Sequence, residues 1–143
     1  TIFGEEISPV ISGAGKSILR SSEDFGFCVE PHINDASNRI LYFGDLDYEG
    51  IGIYERLHDV FQSRNAGDSD AQKVRPFVEA YLRMTKKAAS CGEDFLPQMR
   101  EKQNRNLRGT FFSAFPEEWT AGVCQMLSAG RYIPQEILNI TDF

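Results

Sequence analysis

The sequence has few of the side chains that build zinc sites and activated nucleophiles. Its 143 residues include 3 Cys and 2 His, and none of them has the C-x-x-C or H-x-x-x-H spacing of common zinc sites. No G-x-S-x-G motif is present, which excludes the nucleophile elbow of α/β-hydrolases. No apolar run approaches the roughly 18–20 residues that a membrane span needs, and no targeting segment is visible. We therefore expect no membrane partner.

Basic residues are scarce in the first half of the chain. Residues 1–70 carry 5 Lys and Arg against 13 Asp and Glu, whereas residues 73–108 carry 9 basic and 4 acidic side chains. This layout fits an acidic metal site beside a surface that meets phosphates, and it also fits ordinary solvated helix faces. With 41% hydrophobic residues, the chain can bury the core of one domain.

The clearest local pattern is a strand, an acidic turn and a helix in succession. Arg39–Phe43 is a short β-prone run, and residues 44–50 form a turn with glycine at both ends. Apolar residues then recur at helical spacing, at Ile53, Tyr54, Leu57, Val60 and Phe61. Such a unit is typical of α/β folds with parallel strands.

Other elements are predicted with less detail. Val10 and Ile11 read as the end of a buried strand, and Val74–Met84 fits either a strand or a helix. An exposed helix is expected over Phe95–Leu107. A further helix is expected from Pro116 to about Ser128, with Gly130 after its end, and a last short one over Ile133–Leu138.

Asp45 and Asp47 are the strongest candidates for a functional site. Residues i and i+2 of an extended chain point to the same face, so the two carboxylates are expected side by side. Their repulsion is relieved by a divalent cation, and oxygen ligands suit Mg²⁺ or Mn²⁺. An EF-hand loop is excluded because its twelfth position is Arg56 instead of Glu. A surface turn with two solvated acids remains the alternative.

The segment Gly13–Ser17 has the appearance of a phosphate-binding loop but lacks its spacing. In G-x-x-x-x-G-K-[ST] the first glycine would fall at Val10, which excludes a P-loop. Lys16 remains a candidate phosphate contact.

The acidic turn resembles a known family. Residues 40–51, ILYFGDLDYEGI, resemble the D-x-D strand of the TOPRIM (topoisomerase–primase) domain. The form is most similar to the C-terminal domain of the JetD subunit of Wadjet anti-plasmid systems, which is similar to the A subunit of type IIB topoisomerases. Ser12–Ser17 resembles the glycine turn after the preceding strand of these proteins, and Arg131–Glu136 resembles a segment near their C-terminus.

The resemblance implies a single TOPRIM-like Rossmannoid domain over residues 1–143. Its central, mainly parallel sheet would be flanked by helices, with a helical C-terminal part from about residue 95 onward. Because the chain begins with Thr1 instead of Met, we expect a C-terminal fragment of a longer protein. The family also implies a third carboxylate, for which Glu6 or Glu5 is the candidate, with Glu49 and Glu136 as further metal partners.

The implied function is Mg²⁺-dependent cleavage of DNA phosphodiesters in the bacterial cytoplasm. Glu6, Asp45 and Asp47 would be the catalytic residues. Expected partners are double-stranded DNA, an N-terminal DNA-binding domain missing from this chain, an SMC-like ATPase complex and a second copy of the chain. The alternatives are a non-catalytic interaction module with the same fold and, less favoured, a phosphatase or other phosphoryl-transfer enzyme acting on small molecules.

Basic residues would position the DNA backbone without reading its sequence. The principal candidates are Lys16, Lys73 and Arg75. A wider set of candidates extends along the basic segment, and the sequence alone does not say whether its members cluster: Lys86, Lys87, Lys102, Arg105 and Arg108.

Overall fold

A computed structural model of the chain describes residues 1–12, 15–23, 35, 37–64, 73–100 and 102–142. Within these residues the chain forms four α-helices and two strands. They are α1 (Ser17–Glu23), β1 (Ile40–Tyr42), α2 (Tyr48–Arg64), β2 (Val74–Pro76), α3 (Val78–Cys91) and α4 (Glu117–Ser128). Short 3-10 turns cover Glu93–Phe95, Phe112–Ala114, Gln135–Ile137 and Ile140–Asp142. The fold class is α/β, and none of the described helices is long and apolar enough to cross a membrane.

The two strands are parallel, and α2 connects them. Ile40 pairs with Val74, and Tyr42 pairs with Pro76. Parallel strands require a long crossover, which the 17 residues of α2 provide. The predicted strand, turn and helix are confirmed, and the acidic turn lies at the carboxyl end of β1. A sheet of two strands in the described part of the chain is compatible with a Rossmann-like fold, although it is smaller than a TOPRIM sheet.

The core lies between α2, α3 and the residues that follow position 110. Phe111 is 0% exposed, and its ring centroid lies 5.6 Å from that of Tyr54, 5.1 Å from that of Tyr81 and 5.0 Å from that of Phe115. Each such aromatic pair adds roughly 0.5–1.5 kcal/mol to the burial of its rings. The buried Phe111 therefore anchors the end of the irregular segment 102–110, which passes beside α2.

Two predicted elements are not formed. Val10 and Ile11, expected to end a buried strand, are 84% and 54% exposed and have no strand structure. The helix expected over Phe95–Leu107 is also wrong, since this stretch is irregular after the turn Glu93–Phe95. Pro97 removes a helical hydrogen-bond donor, and Lys102 has a φ of 75°, which an α-helix does not allow.

The helix predicted from Pro116 to about Ser128 is confirmed as α4, Glu117–Ser128. Gly130, with a φ of 78°, turns the chain after its end. The short helix expected over Ile133–Leu138 is a 3-10 turn at Gln135–Ile137. The part from about residue 95 onward was expected to be helical. Among its described residues α4 is the only α-helix, and the rest consists of short turns and irregular chain.

Candidate functional site

The acidic turn is held in place from the C-terminal part of the chain. Leu46, between the two aspartates, is 0% exposed and forms an antiparallel bridge with Ile133, in which the Leu46 amide donates to the Ile133 carbonyl at 2.8 Å. Two residues further on, the amide of Gln135 donates to Oδ1 of Asp45, also at 2.8 Å. The two segments that the sequence analysis singled out, residues 40–51 and Arg131–Glu136, are therefore in direct contact.

Asp47 caps the N-terminus of α2. Its Oδ1 accepts the amide hydrogen of Gly50 at 2.6 Å, three residues into the helix, which is the usual bond of an N-cap aspartate. Its Oδ2 accepts a hydrogen bond from Nε2 of Gln103 at 2.6 Å. The side-chain oxygen of Gln103 in turn accepts the amide hydrogen of Glu49 at 3.3 Å. With 7% of its surface exposed, Asp47 is a nearly buried carboxylate with a donor on each oxygen.

Asp45 lies in a strongly negative environment. Burial raises the pKa of its carboxyl above the usual value, and the charges of Asp47 and Glu136 raise this pKa further. The hydrogen bond from the Gln135 amide and the charge of Arg100 act in the opposite direction. Only Oδ1 of Asp45 accepts a hydrogen bond from the described residues. The other oxygen is thus available to a ligand.

Two glycines shape the turn. A Cβ at Gly50 would overlap the backbone oxygen of Asp45, so this position admits only glycine unless the turn moves. A Cβ at Gly44 would lie 3.0 Å from the hydroxyl of Tyr42. Gly44 does not have a positive φ, so at this position glycine provides space beside Tyr42.

Buried tyrosines support the turn from the core. The hydroxyl of Tyr42 donates to the carbonyl of Gly50 at 2.9 Å, and the amide of Gly44 donates to the hydroxyl of Tyr81 at 3.0 Å. Burial raises the pKa of both tyrosines, and the two aspartates raise it further. The tyrosines therefore stay neutral and act as hydrogen-bonding supports.

The carboxylates proposed to complete the site lie apart from it, with one exception. Glu6 is exposed, Glu5 forms an ion pair with Arg75 of β2, and no described contact joins either of them to the aspartates. Glu49 is exposed and pairs with Lys16 at 3.1 Å. Glu136 is the exception, because its charge acts on the pKa of Asp45. Of the proposed further carboxylates, only Glu136 therefore acts on the acidic turn through its charge, among the residues that the structure describes.

The three principal candidates for DNA contacts lie in different places. Lys16 reaches the N-terminus of α2 through its ion pair with Glu49. Arg75 lies within β2 and is paired with Glu5. Lys73 lies at the opposite end of the sheet from the aspartates, where its carbonyl accepts the amide hydrogen of Ile40. Of the three, Lys16 is beside the acidic turn.

Sequence reasoning missed Gln103 and Arg100. Gln103 contacts Asp47 across a separation of 56 residues, and Arg100 acts on Asp45 from the same irregular segment. No local pattern predicts such contacts. The only available signal was the run of amide side chains at Gln103, Asn104 and Asn106, which is unusual for an exposed helix.

A divalent cation is compatible with this donor set. The described residues contain no group of three Asp, Glu, His or Cys side chains placed to hold an ion, so a site here has two carboxylates. Mg²⁺ commonly binds through one or two carboxylates and keeps several waters. Each carboxylate oxygen has two lone pairs, so the oxygens of Asp47 can accept their present hydrogen bonds and still face a cation.

Comparison with known proteins gives no further assignment. No protein-family model matches this chain, and neither a curated protein nor a solved structure does. Any function therefore has to be argued from the acidic turn itself and from the resemblance of its sequence to TOPRIM domains.

Proposed function

We propose that the chain is a TOPRIM-like domain that cleaves DNA phosphodiesters with Mg²⁺ or Mn²⁺. The observation that carries the proposal is the position of Asp45 and Asp47 at the carboxyl end of a parallel strand, where α/β folds bind ligands. One oxygen of Asp45 accepts no hydrogen bond from the described residues, and burial and like charges raise the pKa of this carboxyl. Such a group gains from a cation beside it.

Asp45 and Asp47 would hold the metal. The cation, when bound, neutralises the phosphate and stabilises the leaving oxygen. Glu136 replaces Glu6 as the proposed acidic neighbour of this two-carboxylate site, because its charge acts on the pKa of Asp45 whereas Glu6 has no described contact with the turn. Arg100, the positive charge that acts on Asp45, is suited to orient a phosphate oxygen. The hydrogen bonds from Gly50 and Gln103 fix the direction of the Asp47 carboxylate.

The resemblance extends the proposal to partners. Double-stranded DNA is the proposed substrate, gripped together with an N-terminal domain of a longer chain. An SMC-like ATPase complex and a second copy of the chain are further proposed partners, in the bacterial cytoplasm. Each of these depends on the TOPRIM resemblance.

Metal binding is the direct test. About 10 mM Mg²⁺ acting at a Kd of about 1 mM stabilises a protein by about 1.4 kcal/mol, which corresponds to a rise in Tm of roughly 3–5 °C. We expect this rise in the wild type and its loss in Asp45→Asn, which keeps an acceptor for the Gln135 amide. Glu6→Gln is the control and should keep the rise. Relaxation of supercoiled plasmid with Mg²⁺ by the wild type, and not by Asp45→Asn, measures the activity.

A second function is favoured by one observation. Both oxygens of Asp47 and one oxygen of Asp45 already accept hydrogen bonds, which is also what a purely structural turn requires. We propose as the alternative a non-catalytic module that docks within a DNA-binding complex. A Tm unchanged by millimolar Mg²⁺ and Mn²⁺ would contradict the metal site and favour this alternative.

A further inference from the structure

A polar cleft of about 370 Å³ lies beside the acidic turn. One wall is the first half of α2, and the other is the irregular segment 102–108. Lys16 reaches it from the chain before α1. Gln103 lines the cleft and also bonds to Asp47, so the cleft and the proposed metal site share a wall.

The cleft is held open by fixed contacts on both sides. Glu55 of α2 is 3% exposed, and its carboxylate accepts the amide hydrogens of Arg108 at 2.7 Å and of Phe111 at 3.5 Å. At the other end, Gln103 joins the segment to the N-terminus of α2. The segment is thus tied to the helix at two points, and the space between them is a preformed groove.

The lining of the groove is polar and has more cations than acids. Its positive side chains are Lys16, Arg56, Lys102 and Arg108, and its acids are Glu49 and Glu55. The charge of Glu55 is met by backbone donors, and that of Glu49 by Lys16. Arg108 is paired with Asp59 of α2. Arg56 and Lys102 are therefore the lining cations that form no ion pair with a described residue. Arg105, which stacks over the ring of Tyr48 at 5.5 Å, adds a further positive charge at the rim. An excess of positive charge in a preformed groove favours an anionic ligand.

Lys102 is the most informative residue of the groove. It is exposed, it has no hydrogen bond or ion pair within the described parts of the chain, and its φ is 75°. Glycine or asparagine adopts this left-handed conformation with less strain than lysine does. What Lys102 brings to the groove is an exposed amine that no described acid neutralises.

We propose that this groove binds the phosphodiester backbone of DNA, with Lys102 and Arg56 as phosphate contacts. The inference rests on the proposed function, because it extends the substrate from the acidic turn along α2. Of the basic residues that the sequence offered, it selects Lys102 and Arg108. It leaves out Lys86, which lies on α3 and does not line the groove.

The test is DNA binding without metal, so that it does not depend on cleavage. The probe is a fluorescein-labelled 20-base-pair duplex, measured by anisotropy in EDTA at several salt concentrations. Loss of one phosphate contact lowers the salt slope by about 0.9 and the affinity at 0.1 M salt by about eightfold. We expect these changes in Lys102→Gln and in Arg56→Gln. Lys86→Gln removes the same charge elsewhere and should bind as the wild type does.

A second variant separates binding from folding. Lys102→Gly removes the charge and also the backbone strain, so we expect weaker DNA binding together with a higher Tm. Equal binding by Lys102→Gln and the wild type, or an equal loss in Lys86→Gln, would overturn the groove. We expect inorganic phosphate to displace the duplex no better than chloride does at the same ionic strength, which would identify the DNA backbone as the ligand. Stoichiometric displacement of the duplex by millimolar phosphate would contradict DNA as the ligand.

The outcomes also separate this inference from the proposed function. Asp45→Asn should bind the duplex in EDTA at least as tightly as the wild type, since it loses a negative charge. A chain that binds through Lys102 and never cleaves DNA would contradict the catalytic proposal and leave the groove standing. A chain that cleaves DNA, and whose DNA binding is unchanged by Lys102→Gln and Arg56→Gln, would contradict the groove and leave the catalytic proposal standing.

Discussion

Helix α2 carries two nearly buried carboxylates, and they differ in what surrounds them. Glu55, in the middle of the helix, accepts backbone amides alone among the described residues, those of Arg108 and Phe111. Asp47, at the N-terminus, accepts one backbone amide and one side-chain amide, that of Gln103. Backbone donors cannot leave without local unfolding, whereas a side chain can rotate away. The comparison indicates that Glu55 is structural, whereas at Asp47 one of the two donors can move without unfolding the backbone.

The largest expected effect on stability follows from removing the Glu55 carboxylate. Glu55→Ala leaves two amides without an acceptor, and each unmet donor costs roughly 1–3 kcal/mol. We expect the free energy of unfolding to fall by about 3 kcal/mol, measured by urea denaturation. Glu49→Ala, an exposed acid on the same helix, should change it by less than about 0.5 kcal/mol. A small effect of Glu55→Ala would show that segment 102–111 is not held by this carboxylate.

The second effect concerns the packing of the helix N-terminus against the acidic turn. An alanine Cβ at Gly50 would overlap the Asp45 carbonyl, whereas one at Gly52 has no atom within 4 Å. We expect Gly50→Ala to destabilise by about 2 kcal/mol through overpacking. Gly52→Ala should stabilise by roughly 0.5–1 kcal/mol through helix propensity. Two equal changes in urea denaturation would contradict the close approach of Asp45 to α2.

This part of the molecule was also the most predictable from sequence. The run ILYF, the glycine-flanked acidic turn and the helical spacing after it are local signals, and the structure confirms the strand, the turn and α2. Local patterns also predicted α4, from proline at its start and glycine after its end. In these places neighbouring residues determine the backbone.

The partners of the site could not be predicted in the same way. Gln103 bonds to a residue 56 positions away, and Gln135 to one 90 positions away. The segment 95–107 has the charge pattern of an exposed helix, but Gln103 bonds to the N-terminus of α2, and the backbone of Pro97 and Met99 bonds to residues 130–132. Tertiary contacts overrode local propensity there. For the same reason, the charge of Glu136 acts on Asp45, although the resemblance to TOPRIM domains had favoured Glu6.

The smallest expected effect is the pH dependence of the stability of Asp45→Asn, measured in EDTA. It tests whether the Asp45 carboxylate, unlike that of Glu55, costs stability in the folded chain. The pKa of Asp45 is raised in the folded chain, first by burial and then by Asp47 and Glu136. Its ionised form therefore destabilises the folded state at neutral pH, and the cost disappears as the pH falls through the folded pKa towards the unfolded value. Asp45→Asn should raise the stability at pH 7.5 by less than about 1 kcal/mol, since Asp45 is partly exposed and screened.

Thermal melts of the wild type and of Asp45→Asn at stepwise lower pH measure this difference. We expect the higher Tm of the variant at pH 7.5 to converge on that of the wild type in acid. Mg²⁺ added at pH 7.5 should raise the Tm of the wild type and leave that of Asp45→Asn unchanged. This also removes the Tm difference, because a bound cation relieves the same repulsion. A lower Tm of the variant at pH 7.5, or a difference that does not change with pH, would mean that the Asp45 carboxylate is needed for folding, as Glu55 is.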